Sequence, residues 1–333
     1  MMPIHVDCSG FGQANTSKNE VQTPVANHLT YMRICRICVA GIITLTSLPI
    51  MGSLTRAQSR AAQDKVKVTE ITPQVLVFAT TAGNVLASVG TDGALLVGIP
   101  SADSTARISS ILAERTRSSV RYVVIAPQDT ARSEGDAGWG RLGAVVAMHE
   151  NALQRIGGNA MGPPPPLSDR FVQLGVDRPR VAFSEVLAFD LNGEAIHVVH
   201  QTPGYSNADA LTHFHAANVV YFGEVFPGDG YPMIDFAQGG KLDGFLKTLG
   251  GWTDAKFRIV PARGEVTNGA SLKAFCNMIT TVRDRVQHMI DARRSEAEII
   301  AEHPAAEFDA RWGHGRVSAD VFVRAVYRAL TER

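Results

Sequence analysis

The stretch from residue 120 to 136, VRYVVIAPQDTARSEGD, is where the chain should carry chemistry. It runs as an apolar strand from Tyr122 to Ile125, breaks at Pro127 and continues as a polar loop, the layout of a functional loop at the end of a core strand. The ionisable groups of that loop are Asp129, Arg132, Glu134 and Asp136, with no His and no Cys. Carboxylates there could act as general bases and an arginine could hold an anion. A nucleophile is harder to find: Ser133 has no His near it in sequence, and the chain contains no GxSxG elbow.

Histidines elsewhere offer one grouping. His213 and His215 are two apart on one strand and so share a face, with His197 and His200 on the neighbouring strand. They could rebuild a metal site; the plainer reading is strand histidines, some on a solvated face. His149 sits in strand sequence, and His288, His303 and His314 lie in helical or tail sequence without a ligand partner at useful spacing. Cys276, alone in a helical pattern, reads as a buried small hydrophobe rather than a nucleophile.

The 333 residues have zero formal net charge and 45% hydrophobic residues, enough for a sizeable core. Lys and Arg are dispersed, which excludes the basic footprint of a nucleic-acid binder. Residues 32–57 run from a basic start (Arg33, Arg36) through an apolar stretch to a break at Pro49 and Gly52 and a small-residue end at Ala57. That is the pattern of a signal peptide cleaved near Ala57, which makes the mature protein periplasmic or secreted. The alternative is an uncleaved membrane anchor over residues 37–54. Residues 1–31 are polar and unpatterned, as expected if translation starts at Met32. Cys8, Cys35 and Cys38 all precede the cleavage point, so no disulfide framework is available downstream.

The elements that must position these residues follow in order. VKVTEI, QVLVFAT, GNVLASVG and ALLVGI read as short strands with turns between them, including Asp92-Gly93. Residues 103–118 are helical, then comes the strand 120–125, a helix near Gly138–Gly143, the strand AVVAMH and a helix from Glu150. Pro163–Pro166 is a stiff spacer leading to a loop that ends near Arg180. VAFSEVLAFD and EAIHVVH flank an Asn192-Gly193 turn as a hairpin. ADALTHFH, NVVYFGEVF and FRIVPARGE are further strands, with a helix at 240–250. Helical pattern covers Ser271 to about Glu302 and Ser318 to Thr331. Two halves, each of strands followed by helices, predict an α/β (α+β) fold: a four-layer αββα sandwich over residues 66–290 with a C-terminal helical extension over 291–333.

With those segments in hand, the chain resembles the metallo-β-lactamase fold hydrolases. GNVLASVGTDGALLVGIP is similar to the family's opening strands, VRYVVI and AMHEN to the strands around its metal loop, TPGYSNAD to its PxHTxGD segment, NVVYFGEVF to its NVLxxGDxF, and VPARGEVTN to its VPGHGPxxN. YPMIDFAQGGKLDG and the tail AEFDARWGHG also resemble family segments, the tail one seen in exported members.

The resemblance implies one or two zinc ions that generate hydroxide and polarise a carbonyl. It places the HxHxDH ligands at Pro127, Asp129, Ala131 and Arg132, the third His at Tyr205, the bridging Asp at Glu224 and the last His at Arg263. All seven positions depart from the pattern, and only Asp129 and Glu224 can bind a cation. Structural zinc sites gain about 10 to 16 kcal/mol from four good ligands. Each arginine about 5 Å from a divalent ion would oppose binding by roughly 6 kcal/mol at an effective dielectric near 20.

The resulting expectation is that Asp129, Arg132, Tyr205, Glu224 and Arg263 converge as a charge-paired pocket with no metal or other cofactor. Asp209 braces the loop before it, and Asp229, Tyr231 and Asp235 lie at its mouth. Three functions follow: a pseudo-hydrolase that binds a small molecule such as an anion through Arg132 and Arg263, with Asp209 and Tyr231 as further ligand-binding residues; a metal-free acid/base enzyme using Asp129 or Glu224 with Tyr205 as donor; or an active zinc-dependent hydrolase of β-lactams, esters or thioesters. No nucleic acid is expected as partner, nor a membrane once the signal is cleaved.

Overall fold

The computed structural model describes residues 66–98, 102–116, 119–125, 139, 143–155 and 181–332. The segments considered for export or anchoring, the helix near Gly138–Gly143 apart from Trp139, the Pro163–Pro166 spacer and the loop residues Asp129 and Arg132 lie outside them. Among the described residues no helix is long and apolar enough to cross a membrane.

Among the described residues, thirteen strands form two sheets, the two central layers expected. The first contains β1 (Lys67–Thr72), β2 (Val75–Ala79), β3 (Asn84–Ser88), β4 (Ala94–Val97), β5 (Val120–Ile125), β6 (Val145–His149) and β7 (Val181–Phe183), in sequential order. β1 to β4 are antiparallel, as tight turns allow. From β4 onward the pairing is parallel, because α1 (Ala102–Thr116) and later connections carry the chain back across the sheet. The second sheet has the order β13 (Thr267–Asn268), β12 (Arg258–Pro261), β11 (Val219–Gly223), β10 (Ala210–Phe214), β9 (Glu194–His200), β8 (Val186–Leu191).

The sheets face one another through aliphatic and aromatic side chains. Val77, Leu86, Leu95 and Val124 of the first meet Ile196, Val198, Phe214, Val219 and Tyr221 of the second, all buried. The outer face of the first sheet is covered by α1 (Ile108, Leu112), Trp139 and α2 (Glu150–Arg155). On the second sheet's outer face lie α3 (Leu242–Gly250) and α4 (Gly269–Asp291). The four layers are therefore α, β, β, α. The extension adds α5 (Glu296–Ala301), α6 (Asp309–Trp312) and α7 (Ala319–Thr331), which packs on α4 and α5 through Phe322, Val323 and Val326.

Sequence and structure differ in two places. VAFSEVLAFD has no Gly or Pro to break it and reads as one strand, yet a bend at Ser184–Glu185 sends β7 to the first sheet and β8 to the second. The helical pattern from Ser271 to Glu302 is interrupted: Arg293 turns at φ 61° and Ser295 restarts the chain as α5 with a reciprocal Ser295/Glu298 capping box. The Asn192-Gly193 hairpin is as expected, with φ 56° and 78° at the two turn residues.

Candidate functional site

Parallel pairing fixes where the ionisable groups gather. β11 and β12 run side by side in one direction, so their C-terminal ends share an edge of the sheet. Glu224 follows β11 directly, and Arg263 stands just past the end of β12. The 201–209 loop joins β9 to β10 at that edge. The Asn84 amide at the start of β3 donates to Pro261 O (3.0 Å) and Gly264 O (2.9 Å), tying the first sheet to the segment that carries Arg263. β5 ends at Ile125 on this side as well.

Backbone stitching makes the site rigid. Ala262 N donates to Phe226 O and Arg263 N to Pro227 O, at 3.0 and 3.1 Å. Gly228 takes φ +86°, and a Cβ there would lie 2.2 Å from Arg263 O, so only glycine permits this approach. Behind Tyr205, the buried Asp209 carboxylate accepts from Gly204 N, Tyr205 N, Ser206 N and Ser206 Oγ at 2.8–3.0 Å. Burial pushes Asp209 up to about 6 against those donors. It shapes the loop from beneath and does not line the cavity, so the ligand contact expected of it is not seen: its oxygens are taken up by its own loop.

The centre is an ion triplet. Arg263 Nη1 and Nη2 bond Glu224 Oε1 and Oε2 at 2.5 and 2.9 Å, a fork-to-fork pair with side chains only 14% and 11% exposed. Arg263 Nε also faces Asp229 at a long 3.4 Å. Burial alone would lower the guanidinium's pKa, but Glu224 and then Asp229 more than offset this and hold it above its ordinary value.

A cavity of about 210 Å³ opens beside the triplet, lined by Tyr205, Glu224, Pro227, Asp229, Gly230, Tyr231, Met233, Arg263, Arg316 and Val317. Tyr205, Glu224, Tyr231 and Arg263 thus meet around one space, while Asp129 and Arg132 lie outside the described residues. Tyr231 is a buried wall: its hydroxyl donates to Asp309 Oδ1 (2.8 Å) and Ala305 O (3.1 Å), and its ring stacks on Phe322. Burial and then Asp309 raise its pKa well above the phenol range. Asp235, placed at the mouth from sequence, instead caps a short 3-10 turn by accepting from Gln238 N.

Sequence reading missed Arg316 and Val317. They come from the extension, where Gly313 forms a bridge with Gly230 and Gly315 packs against Gly230 so closely that a Cβ on either would sit 2.6–2.7 Å from the other's Cα. The Trp312-Gly-His-Gly spacing was the available signal, since paired glycines mark close backbone approach.

Among the described residues, the donor set at this edge does not fit zinc. Both Glu224 oxygens are taken by a guanidinium, Arg263 is a cation, and among the described residues no group of three His, Cys, Asp or Glu could hold a metal. The histidines do not supply one either. His215 Nε2 bonds His197 Nδ1 at 3.0 Å, and His213 Nε2 is buried without a partner. His149, which accepts from Asn151 N and bonds Ser184 O, stacks on His200.

The sequence matches no family model and no curated protein. Solved structures do match. A metallo-β-lactamase from Pontibacter korlensis superposes with TM-score 0.50 at 14% identity, over 65% of this chain and 99% of that one. The DIM-1 metallo-β-lactamase gives 0.51 at 10% (65% and 97%), and the IND-7 enzyme 0.50 at 11% (64% and 98%). At such identities the likeness speaks for fold alone. Two facing mixed sheets, their helical covers and these superpositions together establish that the chain has the metallo-β-lactamase fold, carrying additional C-terminal helices.

Proposed function

We propose that this protein is a small-molecule-binding module on the metallo-β-lactamase fold, a pseudo-hydrolase in which an arginine–carboxylate pair stands in place of the metal. The observation that carries the reading is the bidentate Arg263–Glu224 bond at two positions where the resemblance expects metal ligands. A protein cation fixed by two short bonds answers the charge of Glu224, leaving it with little to offer a metal. The same bonds argue against Glu224 as a general base, since each oxygen that would take a proton already accepts an N–H. An intact stack of cavity, braced loop and clamped segment fits retention of a binding site.

The test is metal content of protein purified without chelator, combined with turnover of a generic β-lactam and ester panel. No zinc and no turnover are expected; one zinc per chain with hydrolysis of any panel member would overturn the proposal. Export with cleavage near Ala57 belongs to the same reading, and the mass and N-terminal sequence of the mature chain test it.

A further inference from the structure

We propose that the cavity beside Asp229 takes a small ligand with a cationic ammonium head on an apolar body. This rests on the metal-free reading of the site and adds the chemical class of ligand.

Charge carries the argument. Glu224 and Asp229 contribute two negative charges to the triplet and Arg263 one positive, leaving one negative charge over. That excess resides on Asp229. Glu224 is held by two bonds and 11% exposed, whereas Asp229 is 36% exposed and reached by Arg263 only through Nε at 3.4 Å. A carboxylate so placed, half-wet and loosely paired at the mouth of a low-dielectric space, has acceptor capacity left for an ammonium donor. Arg316 lines the cavity too and balances the charge of its lining, but it has an interaction of its own, and the acceptor capacity left at the mouth is that of Asp229.

Shape sets the body of the ligand. Tyr205, Pro227, Met233 and Val317 give the cavity an apolar side. Met233 is 49% exposed there, one of few large hydrophobic side chains left facing out. A space of about 150 Å³ admits a benzene-sized group, so 210 Å³ suits one ring with a short head. The Tyr205 ring adds a face on which a cation is favoured. Val317 is fixed in this wall by the Gly230/Gly315 contact and the Gly230–Gly313 bridge, so the extension shapes the site.

Benzylamine, benzyl alcohol and benzoate titrated calorimetrically into the chelator-treated chain provide the test. Benzylamine is expected to bind about tenfold more tightly than the alcohol, and Asp229→Asn to raise its Kd about tenfold, to the alcohol's level. Because Asp229 lies in a tight turn, Met233→Lys is a second variant: a cation at the mouth should weaken benzylamine while sparing the alcohol. Tightest binding of benzoate, lost in Arg316→Gln, would overturn the proposal, as would equal binding of all three, binding of none, or a benzylamine Kd indifferent to both variants. Zinc measured on the protein before chelation separates the two failures. Bound zinc sinks the metal-free reading whatever the probes do, and a zinc-free protein with the wrong ligand order sinks only the ammonium assignment.

Discussion

At one edge of the second sheet, Glu224 and Arg263 meet through both oxygens of the acid and both terminal nitrogens of the base. On the outer face of the same sheet, His197, His213 and His215 crowd with ring centroids 4.0–4.5 Å apart, yet bond only each other or nothing. Residue type alone would send a metal to the histidines, and the resemblance would send it to the edge. Among the described residues, geometry favours neither. At the edge, Glu224 is neutralised from within by an arginine. His213 lies against Trp252 and Phe257, and burial first, then the neighbouring His215 and His197, push it down to about 4. One cluster is held by charge pairing, the other by keeping a group neutral.

Breaking the first cluster should have the largest effect. Arg263→Ala leaves Glu224 buried and unpaired and should cost about 3–5 kcal/mol in chemical denaturation. Asp209→Ala strips the acceptor from three backbone N–H groups and one hydroxyl, and about 2–3 kcal/mol should be lost; a fall in benzylamine affinity would show that the Tyr205 loop has moved. Gly315→Ala forces the extension off Gly230, costing about 1–3 kcal/mol and altering the cavity wall with the triplet intact.

The second cluster predicts a smaller effect with a pH signature. His213 has a folded pKa near 4 against 6.5, so the unfolded chain binds its proton first and stability is lost as pH falls from about 6.5 towards 4. Asp209 is displaced oppositely, from 3.8 to about 6, so the folded chain holds its proton longer and stability falls as pH rises through that window. The two oppose each other, and the parent should show a shallow profile between pH 4 and 6. His213→Phe removes one arm and an unpartnered ring nitrogen: a gain of about 1 kcal/mol or less at pH 7, growing on acidification, is expected from denaturation at each pH. A gain independent of pH would show that His213 titrates normally.

Much of this was legible in residues and much was not. The Asn192-Gly193 turn and the strands NVVYFGEVF and FRIVPARGE follow from local signals, whereas the meeting of Glu224 with Arg263 was expected from the family resemblance. Asp229 was legible as a residue of the pocket mouth but not as a partner of Arg263, since nothing local tells that the guanidinium reaches it. The split of VAFSEVLAFD at Ser184–Glu185 depends on which sheet offers a partner, a long-range matter. Arg316 and Val317 were missed for the same reason: they reach the cavity because two glycines far apart in sequence let backbones touch. The capping box at Ser295 was readable, but the apolar period continuing past Arg293 masked it.

The central claim, that an arginine takes the place of a metal, is tested most directly by a double-mutant cycle on Glu224→Gln and Arg263→Gln, run with and without zinc chloride. The account predicts a coupling of about 2–3 kcal/mol between the two positions, unchanged by zinc. Vanishing coupling, together with a parent protein that zinc stabilises, would contradict it.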